Sequence, residues 1–342
     1  MVKGLLMVML RPCVKLLASI CFTCQFASNG WAQTHSTGSG QGYPAKAVRL
    51  VSPGTAGSGA DTLARLVAGG LPQTFGQQVI VDNRPGANGI IGADIVAKSP
   101  PDGYTLLLAN IAHAANVSIY RKLPYDLIRD LAPVTQVASS PHVVAVHPSL
   151  PVNSVSELVK LAKAKPGAID YASAGTGSST FLATELLKGQ AGVNMVHVPY
   201  KGGGPSLNSV VAGETAVYFS PLAVALPHIR QGRLRALAMT TAKRSSLMPE
   251  LPTVAESGYP GYEFANWYGL LAPAKTPRET IATIRGAVVT VLNNPDLSKR
   301  LVDLSYIPIG DEPEEFGAYI KSEVDKLAKL VRKLNLTAEA IK

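Results

Sequence analysis

The chain has 342 residues, 32 basic and 23 acidic, for a net charge of +9, a length near which one hydrophobic core divides into two. Its positive residues are spread out (Lys160, Lys163, Lys165, then Arg230, Arg233, Arg235) and form no nucleic-acid-binding motif, which excludes nucleic acid as a partner, while a mild positive field favours anionic solutes. All three cysteines, Cys13, Cys21 and Cys24, precede residue 33, so the remainder has no disulfide, thiol nucleophile or thiolate metal site.

In chain order, Lys3, Arg11 and Lys15 lead into the apolar stretch Leu16–Cys24, and Gly30-Trp31-Ala32 places small residues where a signal peptidase reads. A membrane anchor needs roughly 20 apolar residues, and Gln25 and Asn29 interrupt this run. The segment 1–32 is therefore read as a secretory signal cleaved near Ala32, and the mature product as periplasmic and soluble. Residues 33–43, rich in Ser, Gly and Gln, read as a flexible leader.

From Pro44 onward short apolar runs alternate with helical patterns. Val48–Val51 is a predicted strand, Asp61–Leu71 a helix, Val79–Val81 a strand, Asn88–Lys98 a helix and Thr105–Ala109 a strand. A long β-rich passage follows, Val134–His147. The alternation then restarts: a capping box at Ser154 and Glu157 opens a helix ending at Lys165. Ile169–Ala172, Met195–Val198, Ala216–Phe219 and Arg235–Thr240 read as strands, Ser179–Lys188 and Ser206–Ala212 as helices. A C-terminal amphipathic helix carries Phe316, Ile320, Val324, Leu327, Val331 and Leu334 on one stripe, behind Asp311 and Pro313 as start signals. The pattern predicts an α/β fold of two lobes, with helices flanking a mixed, mostly parallel sheet in each. One lobe is assigned residues 44–138 and 241–342, the other 139–240, with a ligand cleft between them at the strand carboxyl ends.

Four segments share the plan strand, glycine-rich turn, helix. They are Pro53–Asp61, Asn83–Gly89, Ser173–Thr180 and Pro199–Ser206, two in each half. Glycine lets backbone approach a ligand, and the helix that follows offers unpaired N–H groups and the positive end of its dipole, which suits a carboxylate or phosphate. Catalytic motifs are missing: Gly57-Ser58-Gly59 is not a G-x-S-x-G elbow, Thr180 stands where a dinucleotide fingerprint needs glycine, and the histidines have no metal-ligand spacing. Neither a cofactor nor a metal is expected. Asp61 is read first as the N-cap of its helix and second as a ligand contact. His113 is expected to face the cleft. Trp267 and Tyr268 read as core or lobe-packing aromatics.

The ordered series Asp82-Asn83-Arg84-Pro85-Gly86-Ala87, Pro101-Asp102-Gly103-Tyr104-Thr105-Leu106, Tyr171-Ala172-Ser173-Ala174-Gly175, His197-Val198-Pro199-Tyr200-Lys201-Gly202 and Leu251-Pro252-Thr253-Val254-Ala255-Glu256-Ser257-Gly258 resembles the tripartite tricarboxylate transporter substrate-binding (Bug) family of periplasmic receptors. The resemblance implies a type II periplasmic-binding (Venus-flytrap) fold and a carboxylate or amino-acid ligand. It carries ligand contacts onto Ala56, Gly57, Ser58 and Asp61, onto Asn110 and His113, onto Ser173, Thr176, Gly177, Ser178 and Ser179, and onto Tyr200 and Ser220. Ser220 stands where relatives that bind amino acids often carry Asp. A buried ammonium wants a paired charge, so a dicarboxylate or aromatic acid is favoured over an amino acid. The implied partners are integral-membrane transporter subunits, with the receptor a monomer. The alternatives are a periplasmic sensor of the same ligands and, less favoured, a hydrolase or isomerase using Ser58 or Ser178.

Overall fold

The computed structural model describes residues 42–337; the signal segment and the leader up to residue 41 lie outside them. Tyr43, read with the leader, is docked: its hydroxyl donates to the Gly103 carbonyl at 2.6 Å and its ring meets Phe75 and Tyr104 edge-on.

The first run is β1 (Val48–Ser52), α1 (Gly59–Gly70), the short α2 (Pro72–Phe75), β2 (Val79–Asn83), α3 (Ile90–Ala97), β3 (Thr105–Asn110) and α4 (Ile111–Ile119). The long strand β4 (Leu131–Val146) follows. The second run comprises α5 (Val155–Ala164), β5 (Asp170–Ser173), α6 (Ser179–Ala191), β6 (Val196–Pro199), α7 (Gly203–Val211), β7 (Val217–Pro221), α8 (Leu222–Arg230) and β8 (Arg235–Met239). The chain closes with β9 (Ala265–Pro273), α9 (Arg278–Leu292), α10 (Pro295–Asp303), β10 (Ile307–Pro308) and α11 (Pro313–Leu334). The caps follow local chemistry. Ser154 accepts the Glu157 N–H and is the N-cap of α5, as expected, but the Glu157 carboxylate accepts the N–H of Asn153 and not that of Ser154, so the reciprocal half of the expected capping box is shifted by one residue.

The strands lie in the order β2-β1-β3-β9-β4-β7-β5-β6, with β8 and β10 also on β4. The outer pairs are parallel, β1 with β2 and β3 and β5 with β6 and β7, while β4 and β9 run antiparallel to their neighbours. The sheet is thus mixed, and parallel pairing dominates only away from its centre. β4 changes partners in mid-strand: Pro141 lies opposite Ala265 of β9, whereas His142 lies opposite Pro221 of β7. A single continuous strand therefore crosses from the first set of strands to the second where the sequence pattern reads as a restart. The return runs between β8 and β9, pinned by the Thr240 hydroxyl on the His142 and Phe264 carbonyls.

The α11 stripe packs on this centre. Phe316, Ile320, Leu327 and Val331 are buried, and Phe316 meets Trp267 edge-on at 5.7 Å. Gly269 is required there, because a β-carbon would come within 2.1 Å of the Phe316 ring. Each such buried side chain contributes about 1.5–3 kcal/mol.

Candidate functional site

Every parallel strand of this sheet leads on one side into a helix start, through a turn after β1, β2, β5 and β6 and directly after β3 and β7. The first residues of six helices line a single cavity of about 700 Å³: Gly59 and Ala60 of α1, Gly89 before α3, Asn110 and Ala112 at α4, Ser178–Thr180 at α6, Gly202 and Gly203 at α7, and Pro221 before α8. Helix starts carry amides without intrahelical partners and the positive dipole end. Among the described residues, Lys201 is the single charged one in the lining, which contains no carboxylate side chain. The arrangement suits an anion.

Of the residues carried over from the sequence, Ser58, Asn110, Thr176, Ser178, Ser179 and Tyr200 line this cavity. The others stand beside or behind its wall. Asp61 is not the N-cap: Ser58 occupies that place, accepting the Asp61 N–H at 3.3 Å. The Asp61 carboxylate instead accepts the Gly57 N–H at 3.0 Å and the Asn83 amide at 2.9 Å, and pairs with Arg65 at 2.9 Å. Burial pushes its pKa up, but the Arg65 hydrogen bond, the Gly57 N–H and the Asn83 amide outweigh this and hold it below the usual value. Asp61 therefore ties the first turn to β2. Ala56 and Gly57 are exposed in that turn.

His113 is fully buried and closes a capping box, its Nδ1 accepting the Asn110 N–H at 3.1 Å while Asn110 Oδ1 accepts the Ala112 N–H. Burial lowers its pKa to about 4, so it holds the α4 start as a neutral ring. Ser173 Oγ lies 2.6 Å from His197 Nε2 and accepts the Gly175 N–H. Burial, then Lys188, lowers the His197 pKa to about 4. Gly177 packs against Ile119 and Asn88. The Ser220 hydroxyl donates to the Pro221 carbonyl and is buried.

Ser58 and Ser178 are both helix caps, the latter accepting the Phe181 N–H at 3.3 Å. Ser179, by contrast, has His142 Nε2 at 3.1 Å behind it. The lining also includes Thr55, Asn88, Tyr120, Lys201, Asn266 and Tyr268, none assigned from the sequence. Thr55, Asn88 and Lys201 fall inside three of the glycine-rich turns, so attention to every polar residue there would have found them. Asn266 and Tyr268 come from β9, whose near-continuous apolar run carries no turn-and-helix signal. Trp267 points the other way, into the core, in keeping with its expected packing role.

The cavity is pinched where turns from the two sets of strands meet. A β-carbon at Gly202 would lie 2.7 Å from Thr55, and one at Gly177 would lie 2.7 Å from Ile119.

Comparison with known proteins agrees with this geometry. Residues 63–336 match the model of the tripartite tricarboxylate transporter family receptor. Protein BugT of Bordetella pertussis is 34% identical over 292 residues, covering 85% of this chain and 90% of that protein. Among solved structures, an R. palustris protein with adipate is 36% identical with a TM-score of 0.84, covering 86% of this chain and 99% of that one. MatC from Rhodopseudomonas palustris with bound malate is 29% identical with a TM-score of 0.81, covering 84% and 100%. The chain belongs to the tripartite tricarboxylate transporter (Bug) receptor family and is a solute-binding receptor, not an enzyme.

Proposed function

We propose that this receptor is exported to the periplasm, captures a small organic carboxylate by lobe closure, and delivers it to the membrane subunits of a tripartite tricarboxylate-type transporter. The observation that carries the reading is the convergence of six helix starts and Lys201 on one cavity whose lining has no carboxylate. Such a site compensates negative charge with fixed dipoles and a cation. It offers nothing to balance an ammonium, so a dicarboxylate or aromatic acid is preferred to an amino acid. The adipate and malate in two relatives are dicarboxylates, which supports the same class. The lobes are taken as 44–138 with 241–342, and 139–240, hinged where β4 changes partners and where the chain returns after Thr240. Ser58, Asn110, Thr176, Ser178, Ser179 and Tyr200 supply the ligand contacts, with Ala56, Gly57, Asp61, His113, Ser173, Gly177 and Ser220 shaping the turns.

Thermal unfolding with a panel of organic acids tests this reading. A true ligand at 100 times its Kd adds about 2.7 kcal/mol of stability. Adipate, malate or benzoate is expected to raise the melting temperature and glutamate to leave it unchanged. A response to glutamate and to none of the others would refute the assigned class.

A further inference from the structure

Thr55 lies in the turn between β1 and α1. Its hydroxyl oxygen is buried in the cavity wall and makes no hydrogen bond among the described residues. The backbone of the same residue is engaged, its carbonyl accepting the Ser58 N–H at 3.0 Å, so the turn does not depend on the side chain. From the other side of the cavity the turn opening α7 presses against it. A β-carbon on Gly202 would come within 2.7 Å of both Thr55 Oγ1 and Cγ2, and one on Gly204 within 3.9 Å of Oγ1. Gly202 is the N-cap of α7 and provides no side-chain cap, so the amides that follow it have no acceptor from the cap residue. A hydroxyl and a helix start, belonging to different sets of strands, thus meet at one point of the cavity wall.

We propose that Thr55 is a ligand-contacting, specificity-determining residue. Its hydroxyl donates to one carboxylate of the solute while the first amides of α7 donate to the same group, so that the anion bridges the seam between the two turns. This rests on the carboxylate reading above. Two features favour it over simple packing. Valine would fill the same space without a polar atom, whereas a buried hydroxyl is costly unless hydrogen-bonded. A carboxylate has about four lone-pair sites and accepts a hydroxyl and amides together. The contact also gives closure a chemical reason, since the bound group completes hydrogen bonding on both sides at once.

The test compares wild type, Thr55→Val and Thr55→Ser by titration calorimetry with adipate, malate and benzoate, alongside thermal unfolding of the ligand-free proteins. Thr55→Val is expected to weaken the tightest of these probes about tenfold, the loss of one hydrogen bond to a charged group, and Thr55→Ser to stay within about threefold. Both ligand-free variants are expected to melt within about 2 °C of wild type. Unchanged affinity in Thr55→Val, or an equal loss in Thr55→Ser, overturns the proposal and leaves the carboxylate reading standing. A wild-type protein that binds none of the three probes overturns that reading and this one with it.

Discussion

Removal of the Asp61 carboxylate separates two roles that one residue could play: anchoring the first turn or touching the ligand. In Asp61→Ala the Gly57 N–H and one hydrogen of the Asn83 amide lose their acceptor. Asn83 keeps its second bond, to the Gly54 carbonyl at 2.9 Å. Arg65 is exposed and re-solvates, so its pair contributes little. A stranded donor costs about 1–3 kcal/mol when buried, and the exposed Gly57 recovers part of its share from water. The net loss is therefore about 2 kcal/mol. Asp61→Asn recovers less than half of it, because its amide group turns a donor toward donors. The effect is read as a shift in urea midpoint at unchanged slope, with affinity measured on the same samples. The depressed pKa sets the sign with pH. The carboxylate's contribution is present above its unfolded value near 3.8 and disappears as pH falls through the lower folded value. An Asp61→Ala protein with wild-type stability and abolished binding would refute the anchoring role and place the carboxylate on the ligand.

Other outcomes follow from the same geometry. Burial holds His113 at about 4 and His142 at about 3, below the ordinary histidine value of 6.5. Stability is then full above pH 6.5 and falls toward pH 4 by about 1.4 kcal/mol per pH unit for each ring; urea midpoints at pH 7 and pH 5 that coincide would contradict this. Lys201→Met is expected to weaken dicarboxylate binding about threefold and to flatten its salt dependence, as calorimetry at low and high ionic strength would show. Phe316→Ala, which empties the contact with Trp267 and Gly269, is expected to cost about 3–5 kcal/mol in chemical denaturation.

Much of the fold is legible in the order of residues because it depends on neighbours in the chain. The period-two and period-3.6 patterns place β1, β3, α5 and α11, and the Ser154–Glu157 pair locates a helix start to the residue, since capping is a contact over three positions. Residues of all four glycine-rich turns line one cavity, and those turns are legible for the same reason. No helix is predicted from the sequence at α2, α4, α8, α9 or α10; among these are α4, where Asn110 and His113 form the box, and α8, whose interior holds Pro227. In both, a strand runs straight into a helix with no connecting turn, and at α8 the Pro221 at the junction is followed by Pro227 inside the helix, which masks its period.

What the sequence determines by itself is the class of the protein and the kind of chemistry it offers an anion. The tertiary structure alone decides which polar groups are available for that chemistry. Asp61, His113, Ser173 and Ser220 have the right residue type and neighbourhood, yet each already satisfies a turn or a helix end. Thr55, Asn88, Lys201 and Asn266 reach the cavity because strands distant in sequence bring their ends together. Which side chains reach the ligand space is settled in three dimensions: Ser58, Asn110 and Ser178 line the cavity although each also caps a helix, whereas Asp61 caps nothing and lies behind the wall.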